Sequence, residues 1–196
     1  MNIGIFGGAF NPPHNGHINA AKAFIEGCNL DILYVVPTYI SPFKEDLLNN
    51  IKLDHISLLV QEAFAKIPKV TISDFEISKK SISYTIDTVR YFKKIHEKDD
   101  IFLLIGLDNA FNFYLWKEYQ EILKLVTIVI ANRDIKINHD LDPKLQEIFG
   151  SYIDLKTELI DISSSQIRNK VFEDNQSLLI PTGVKELILK LGLYQS

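Results

Sequence analysis

The chain has one cysteine, Cys28, so it cannot close a disulfide within itself, and a reducing compartment is its expected setting. No apolar run approaches the ~18 residues that a membrane helix needs. The opening Met1-Asn2-Ile3-Gly4-Ile5-Phe6 lacks the basic start and long apolar stretch of a signal peptide, and it reads as a strand that begins the fold at once. The expectation is a cytoplasmic protein with no membrane partner. Arginine is scarce: Arg90, Arg133 and Arg168 are all there is. No Lys/Arg-rich run occurs and the net charge is −4, which argues against a nucleic-acid partner. A polyphosphate ligand would have to be held by a few local cations and helix N-termini, because the overall field does not attract it.

What is present points to an ordinary globular chain. Its 196 residues are 46% hydrophobic and 23% charged, enough for a sizeable core within one domain. There is no internal repeat, low-complexity stretch or linker. Apolar runs alternate with helical patterns almost from end to end. Strands are expected at Ile3–Phe6, Ile32–Val36, Val70–Phe75, Ile101–Ile105, Thr127–Ala131 and Leu159–Ile162. Helices are expected at Gly16–Gly27, Ile51–Ile67, Thr85–His96, Glu118–Leu125 and Pro143–Phe149, with further helices from Ser164 and from Pro181. The part from about Ser163 to Ser196 is thus a small helical ending. Such alternation predicts an α/β fold, a doubly wound parallel sheet with helices on both faces. Ligands of such sheets bind beyond the carboxyl ends of the strands, where the winding reverses.

The richest segment follows the first strand: Gly7-Gly8-Ala9-Phe10-Asn11-Pro12-Pro13-His14-Asn15-Gly16-His17. Gly7 and Gly8 let the backbone approach a ligand and take dihedrals closed to other residues. Pro12 and Pro13 fix the loop and keep the helix from starting early. His14 and His17, three apart at a helix start, share a face where an anion is already favoured. Imidazole donates hydrogen bonds to non-bridging phosphate oxygens, where charge builds during transfer. Two histidines on one face also suit zinc. Zinc would need a third ligand, and no His-Glu-x-x-His pattern accompanies them, so no protein-held metal is assigned. The segment matches neither a Walker loop nor Gly-x-Gly-x-x-Gly.

A second signature, Ile162-Ser163-Ser164-Ser165-Gln166-Ile167-Arg168, opens a helix near the C-terminus. Ser163 and Gln166 have capping-box spacing. Three hydroxyls and free backbone N–H groups make a second anion site, with Arg168 one turn in. The same residues also read as a serine-rich cap beside a solvated arginine. Together, the two segments look like two helix N-termini converging on one triphosphate.

These segments resemble the nucleotidyltransferase superfamily marked by a Gly-x-Phe-(Asp/Asn)-Pro-x-His-x-Gly-His loop and an Ile-Ser-Ser-x-x-Ile-Arg helix start, and most of all its bacterial nicotinate-nucleotide adenylyltransferases. The similarity runs over nearly the whole chain. Pro42-Phe43-Lys44 stands at that family's Pro-His-Lys loop. Ser83-Tyr84-Thr85-Ile86-Asp87-Thr88 matches its Ser-Tyr-Thr-x-Asp-Thr segment, and Ile105-Gly106-Leu107-Asp108 its Ile-Gly-x-Asp, with Trp116 following. Arg133 lies just after a strand, as the family's arginine does, and Leu179-Ile180-Pro181 through Gly192-Leu193-Tyr194 resembles its close.

The resemblance implies a Rossmann-like fold and transfer of AMP from ATP to nicotinate mononucleotide in NAD biosynthesis, with Mg2+ accompanying ATP. It implies that His14, His17 and Arg168 act in catalysis. Gly7, Gly8, Phe10, Gly16, Lys44, Asp108, Arg133, Ser163, Ser164 and Ser165 would bind ATP. Ser83, Tyr84, Thr85 and Trp116 would bind the pyridine nucleotide, Trp116 by stacking. Taken alone, Trp116 and Tyr84 also read as core, Asp108 as a helix cap and Lys44 as a solvated loop lysine. Asn11 replaces the family's usual aspartate and Phe43 its histidine. A homo-oligomer is compatible with the sequence. The competing readings are another acceptor, such as nicotinamide mononucleotide or phosphopantetheine, use of CTP, a histidine–metal hydrolase, and a nucleotide-binding module without catalysis.

Overall fold

A computed structural model of the chain describes residues 1–40, 42, 53–132, 142–156, 162–170 and 179–195. In chain order the elements are β1 (Asn2–Gly8), α1 (Asn15–Gly27), β2 (Ile32–Pro37), α2 (Leu53–Phe64), β3 (Val70–Ile72), α3 (Phe75–Lys79), α4 (Thr85–Ile95), β4 (Asp100–Gly106) and α5 (Leu107–Phe111). A 3-10 turn (Phe113–Leu115) follows, then α6 (Tyr119–Leu125), β5 (Thr127–Asn132), α7 (Asp142–Phe149), β6 (Ile153–Lys156), α8 (Ser164–Lys170) and α9 (Thr182–Lys190). The strands form one sheet in the order β3-β2-β1-β4-β5-β6, and every neighbouring pair is parallel. This is the α/β fold expected from the alternation, with the winding reversing between β1 and β4.

Strand periodicity divides the core into two layers. Ile3 and Ile5 of β1, Val36 of β2 and Ile101, Leu103 and Ile105 of β4 pack with α4 residues Ile86, Val89 and Phe92. The alternate residues Phe6, Leu33, Val35 and Leu104 pack with Phe24 of α1, Leu59 and Phe64 of α2, Ile167 of α8 and Val184 and Ile188 of α9. Both faces are therefore covered, which is why the central strands read as apolar runs rather than as alternating ones. A Cβ at Gly4 would collide with Leu30, Leu33 and Phe24, so glycine there is the condition for close packing of this second layer.

One expected strand differs from the structure, and a second lies mostly outside the described residues. The run Val70–Phe75 is a strand only to Ile72. Ser73 and Asp74 then turn the chain: Ser73 Oγ accepts from the Phe75 N–H at 3.4 Å, and Ser78 donates to Asp74 Oδ2 at 2.8 Å. These short polar side chains offer the backbone a local alternative to the ladder, and α3 begins at Phe75. The strand expected at Leu159–Ile162 falls mostly outside the described residues, and Ile162 belongs to no strand. The strand beside β5 is Ile153–Lys156, which was not expected and whose four residues are too few for periodicity to announce. Residues 51 and 52 of the expected second helix also lie outside the described residues.

Candidate active site

The carboxyl ends of β1 and β4 are the winding reversal, and both end in glycine. A Cβ on Gly106 would meet nothing within 4 Å, so the end of β4 opens onto free space. From Gly8 the chain passes through a buried loop to α1, with Asn11, Pro12, Pro13 and His14 all buried.

The unusual dihedral in this loop falls on Phe10, at φ 44°, and not on Gly7 or Gly8, which are extended in β1. Left-handed backbone costs a residue with a Cβ roughly 1–2 kcal/mol. The Phe10 ring is 2% exposed and meets Phe6 edge-on at 5.3 Å, Phe64 at 5.6 Å and His17 at 5.0 Å. Burying a phenylalanine returns about 1.5–3 kcal/mol, enough to hold the turn. Gly8 is required for room rather than for dihedral freedom: its added Cβ would lie 3.0–3.3 Å from the Phe10 ring.

His14 caps α1 and is 2% exposed. Its backbone N–H donates to His17 Nδ1 at 3.2 Å, closing a capping box built from two histidines. With Nδ1 accepting, the neutral His17 ring must carry its proton on Nε2. The two imidazoles stack at 3.7 Å between centroids, 28° from parallel. Gly16 makes this possible, because a Cβ there would sit 3.0 Å from His14 Nδ1 and 3.1 Å from its Cε1. The expected common face is therefore real, and it lies at a helix start with no acidic residue in the first turn.

The second signature docks directly on this loop. Ser164 donates to the Pro12 carbonyl at 2.9 Å, and Arg168 donates to the Asn11 carbonyl at 2.8 Å and to Ser165 Oγ at 2.9 Å. Ser163 and Gln166 form the expected reciprocal cap: Gln166 Oε1 accepts from the Ser163 N–H at 2.6 Å, and Ser163 Oγ from the Gln166 N–H at 3.2 Å. The serines thus position α8 as well as offering polar atoms. Arg168 meets neutral oxygens in these contacts, so its positive charge is not cancelled by them. Tyr194 completes the cluster by donating to Asn11 Oδ1 at 2.6 Å, and burial pushes its phenol pKa well up. Asn11, 6% exposed, is therefore an internal acceptor. An aspartate there would bury a charge beside that phenol.

The other expected residues that are described lie along the same edge. Ser83 donates its N–H to the Ile40 carbonyl at 2.9 Å and accepts at Oγ from the Tyr39 N–H at 3.1 Å. Tyr84 caps α4 and Thr85 starts it, both half-buried. Lys117 Nζ stands 4.4 Å over the Tyr84 ring, which joins the Ser-Tyr-Thr segment to the neighbour of Trp116. Trp116 is half-buried and leans on Phe113 at 4.9 Å, so it is partly packed and partly presented. Asp108 stands exposed in the first turn of α5, whose cap is Gly106; the aspartate is not the cap. Lys44 and Arg133, with Phe43, lie outside the described residues. Among the described residues no three His, Cys, Asp or Glu side chains gather as metal ligands. Sequence reading missed Glu76, a buried carboxyl on α3 that accepts from Thr88 Oγ1 at 2.6 Å. It has no periodic or motif-like signal in the sequence.

A cytidylyltransferase-like family model matches residues 5–170. A probable nicotinate-nucleotide adenylyltransferase of Campylobacter jejuni is 37% identical over 192 residues, covering 97% of this chain and 98% of that protein. One from Hydrogenobaculum is 33% identical over 200 residues, covering 99% and 98%. The solved nicotinic acid mononucleotide adenylyltransferase of Plasmodium falciparum, complexed with NaAD, superposes with a TM-score of 0.81 over 99% of this chain and 97% of its own. Its 20% identity makes that a likeness of fold. The chain belongs to the cytidylyltransferase-like family and, within it, to the nicotinate-nucleotide adenylyltransferases.

Proposed function

We propose that the protein transfers AMP from ATP to nicotinate mononucleotide, giving nicotinate adenine dinucleotide and pyrophosphate. The observation that carries this reading is the docking of α8 on the β1–α1 loop. Ser164 and Arg168 bond to Pro12 and Asn11 across 152 and 157 residues of chain, which brings both signatures to the winding reversal of the sheet.

The acceptor's 5′-phosphate attacks the α-phosphorus of ATP. A bond forms from that phosphate oxygen to the α-phosphorus, and the bond from the α-phosphorus to the bridging oxygen breaks, releasing pyrophosphate. The attacking phosphate is already ionised, so no side-chain nucleophile is needed. Catalysis comes from positioning and from donors fixed where charge develops. His17, oriented by its Nδ1 contact, offers its Nε2–H to a non-bridging oxygen. His14 fixes the His17 ring, and its own ring takes part in holding the phosphates. Arg168 and Lys44 neutralise the triphosphate and the leaving pyrophosphate, and Arg133 binds ATP. Mg2+ accompanying the ATP would lower the charge to be neutralised, and an ion that reaches the site with its nucleotide would need no dedicated protein cage. Gly7, Gly8, Phe10 and Gly16 shape the approach to the phosphates, Ser163, Ser164 and Ser165 line the α8 side, and Asp108 contacts the ribose of ATP. Ser83, Tyr84, Thr85 and Trp116 hold the pyridine nucleotide.

Residues 1–196 act in this reading as one nucleotidyltransferase domain; support comes from Ile167, Val184 and Ile188, which share an apolar layer with the sheet. A cytoplasmic setting suits the lone, buried Cys28 thiol.

The test is pyrophosphate release from Mg-ATP with nicotinate mononucleotide, nicotinamide mononucleotide or phosphopantetheine, beside His17→Ala. Turnover with the nicotinate compound, reduced about 10²–10³-fold in the variant, is expected. No turnover with either pyridine nucleotide would sink the acceptor assignment. ATP binding without pyrophosphate release from any acceptor would leave a binding module.

A further inference from the structure

A buried carboxyl needs an explanation, because desolvating it is unfavourable and an apolar residue would fill the same space at no such penalty. Glu76 on α3 is 6% exposed. Thr88 of α4 donates to its Oε1 at 2.6 Å. Burial pushes the Glu76 pKa up, while the Thr88, Ser83 and Thr38 hydroxyls and the charge of Lys79 oppose that rise. The Ser83 and Thr38 hydroxyls are thus close neighbours of the carboxyl, yet among the described residues Oε2 receives no hydrogen bond of full geometry.

The three hydroxyls come from two segments, the start of α4 and the stretch that follows β2. Thr88 lies one turn into α4, the helix that Tyr84 caps and Thr85 begins. Ser83 precedes that cap and is tied to Tyr39 and Ile40 by its Oγ and N–H. Thr38 follows β2, and its N–H donates to the Gly8 carbonyl at 2.9 Å, at the rim of the β1–α1 loop. A single isolated bridge, Ile40 to Ile82, is the only regular pairing recorded between these two segments among the described residues. So little backbone pairing cannot fix their spacing alone.

We infer that Glu76 is a positioning residue for the acceptor side of the site: its carboxyl sets the start of α4, with Ser83 to Thr85, at a fixed distance from the Thr38–Ile40 segment beside Gly8. This rests on the reading that Ser83, Tyr84 and Thr85 hold the acceptor. Glu76 touches no substrate in this role; it acts through its bond to Thr88, which holds the α4 start from which Ser83 reaches Tyr39 and Ile40. An apolar replacement could fill the volume but would leave the buried Thr88 hydroxyl without its partner and would set an apolar side chain beside Ser83 and Thr38.

Steady-state kinetics of the full chain decide the matter, varying nicotinate mononucleotide and ATP in turn. Glu76→Ala should raise the KM for the acceptor about tenfold or more while the KM for ATP stays within about twofold. Glu76→Gln, which keeps an acceptor for Thr88 and gains a donor that a rotated hydroxyl can accept, should return the acceptor KM to within about threefold of the original. A general packing role would move both KM values together and would gain nothing from glutamine. Either of those results, or an unchanged acceptor KM in Glu76→Ala, overturns the inference. Should the alanine variant fail to fold, Thr88→Val carries the same test, with the same split in smaller measure. If the wild type uses a different acceptor, the functional reading fails, and the same comparison on that acceptor still decides Glu76. If the wild type turns over no acceptor, amide exchange at residues 38–40 and 82–85 decides instead. Faster exchange in Glu76→Ala, restored in Glu76→Gln, supports the role, and equal exchange in both variants and wild type refutes it.

Discussion

The two ends of the sheet use the same kinds of residue in opposite ways. At the amino edge, Asp99 accepts from the Met1 amine at 2.8 Å and pairs with His96 Nδ1 at 2.9 Å, and Tyr34 meets His96 Nε2 at 3.1 Å. Cation meets anion there, and both imidazole nitrogens are engaged. At the carboxyl edge, the His17 ring is aimed by a backbone N–H, and Arg168 is held by a carbonyl and a hydroxyl. Arginine repeats the contrast: Arg90 meets Glu118 with both terminal nitrogens, at 2.6 and 3.3 Å, so its charge is answered within the protein. A cation oriented by neutral oxygens keeps its field for an anionic ligand. A cation facing a carboxylate does not. Function in this chain is thus marked less by which residues occur than by whether their charge has been cancelled.

The largest effect that follows is on turnover. Arg168→Ala should lower kcat/KM about 10²–10³-fold, because a guanidinium held in place by neutral oxygens answers charge that develops during transfer. Arg168→Lys should recover only part of it, since an ammonium cannot span two acceptors in a plane. Arg90→Ala should change kcat/KM by less than about threefold, as expected for an exposed pair. Equal losses at Arg90 and Arg168 would break the comparison.

A smaller effect is expected at Gly16. Its alanine Cβ would press on the buried His14 ring at 3.0–3.1 Å, and that ring is stacked on His17 with little room to yield. Gly16→Ala should lower kcat/KM about tenfold through displaced imidazoles, with no comparable loss of thermal stability. A variant with full activity would show that the stacked arrangement is not required.

Much of this edge was legible in the sequence, for physical reasons. Five of the six described strands announced themselves, β3 by its alternation and the other four as the apolar runs of buried parallel strands. The capping boxes of α1 and α8 have fixed spacing, so His14 with His17 and Ser163 with Gln166 could be paired by counting. What escaped are contacts with no local period. Tyr194 reaches Asn11 across 183 residues, and Glu76 finds Thr88 through the packing of α3 on α4. α3 itself was hidden by the apolar alternation of Val70–Phe75, where Ser73 and Asp74 override the strand pattern. The loop's left-handed residue was also misassigned to glycine, because only the aromatic cage around Phe10 makes that dihedral tolerable.

The caps allow a smaller test, on stability. Ser163→Ala removes the hydroxyl that accepts from the Gln166 N–H, and it should lower unfolding free energy by about 1 kcal/mol. Thermal unfolding with and without ATP separates this from binding. If α8 is held chiefly by Ser164 and Arg168, the loss will be smaller still.

The smallest effect belongs to the amino edge, and pH gives its signature. The Met1 amine and His96 hold the Asp99 carboxyl below its usual range, and Asp99 in turn raises the amine. A depressed carboxyl contributes stability above its unfolded value, and the contribution fades as pH falls through the lower folded value. A raised amine contributes below its unfolded value, and the contribution fades as pH rises through the higher folded one. The network should therefore be complete only between about pH 4 and pH 8. Asp99→Asn should lower the melting temperature slightly inside that window, with the gap to wild type closing on both sides, and should leave kcat/KM unchanged. A gap that stays constant across pH would mean that shape, not charge, holds this edge. A loss of turnover would couple the two ends of the sheet.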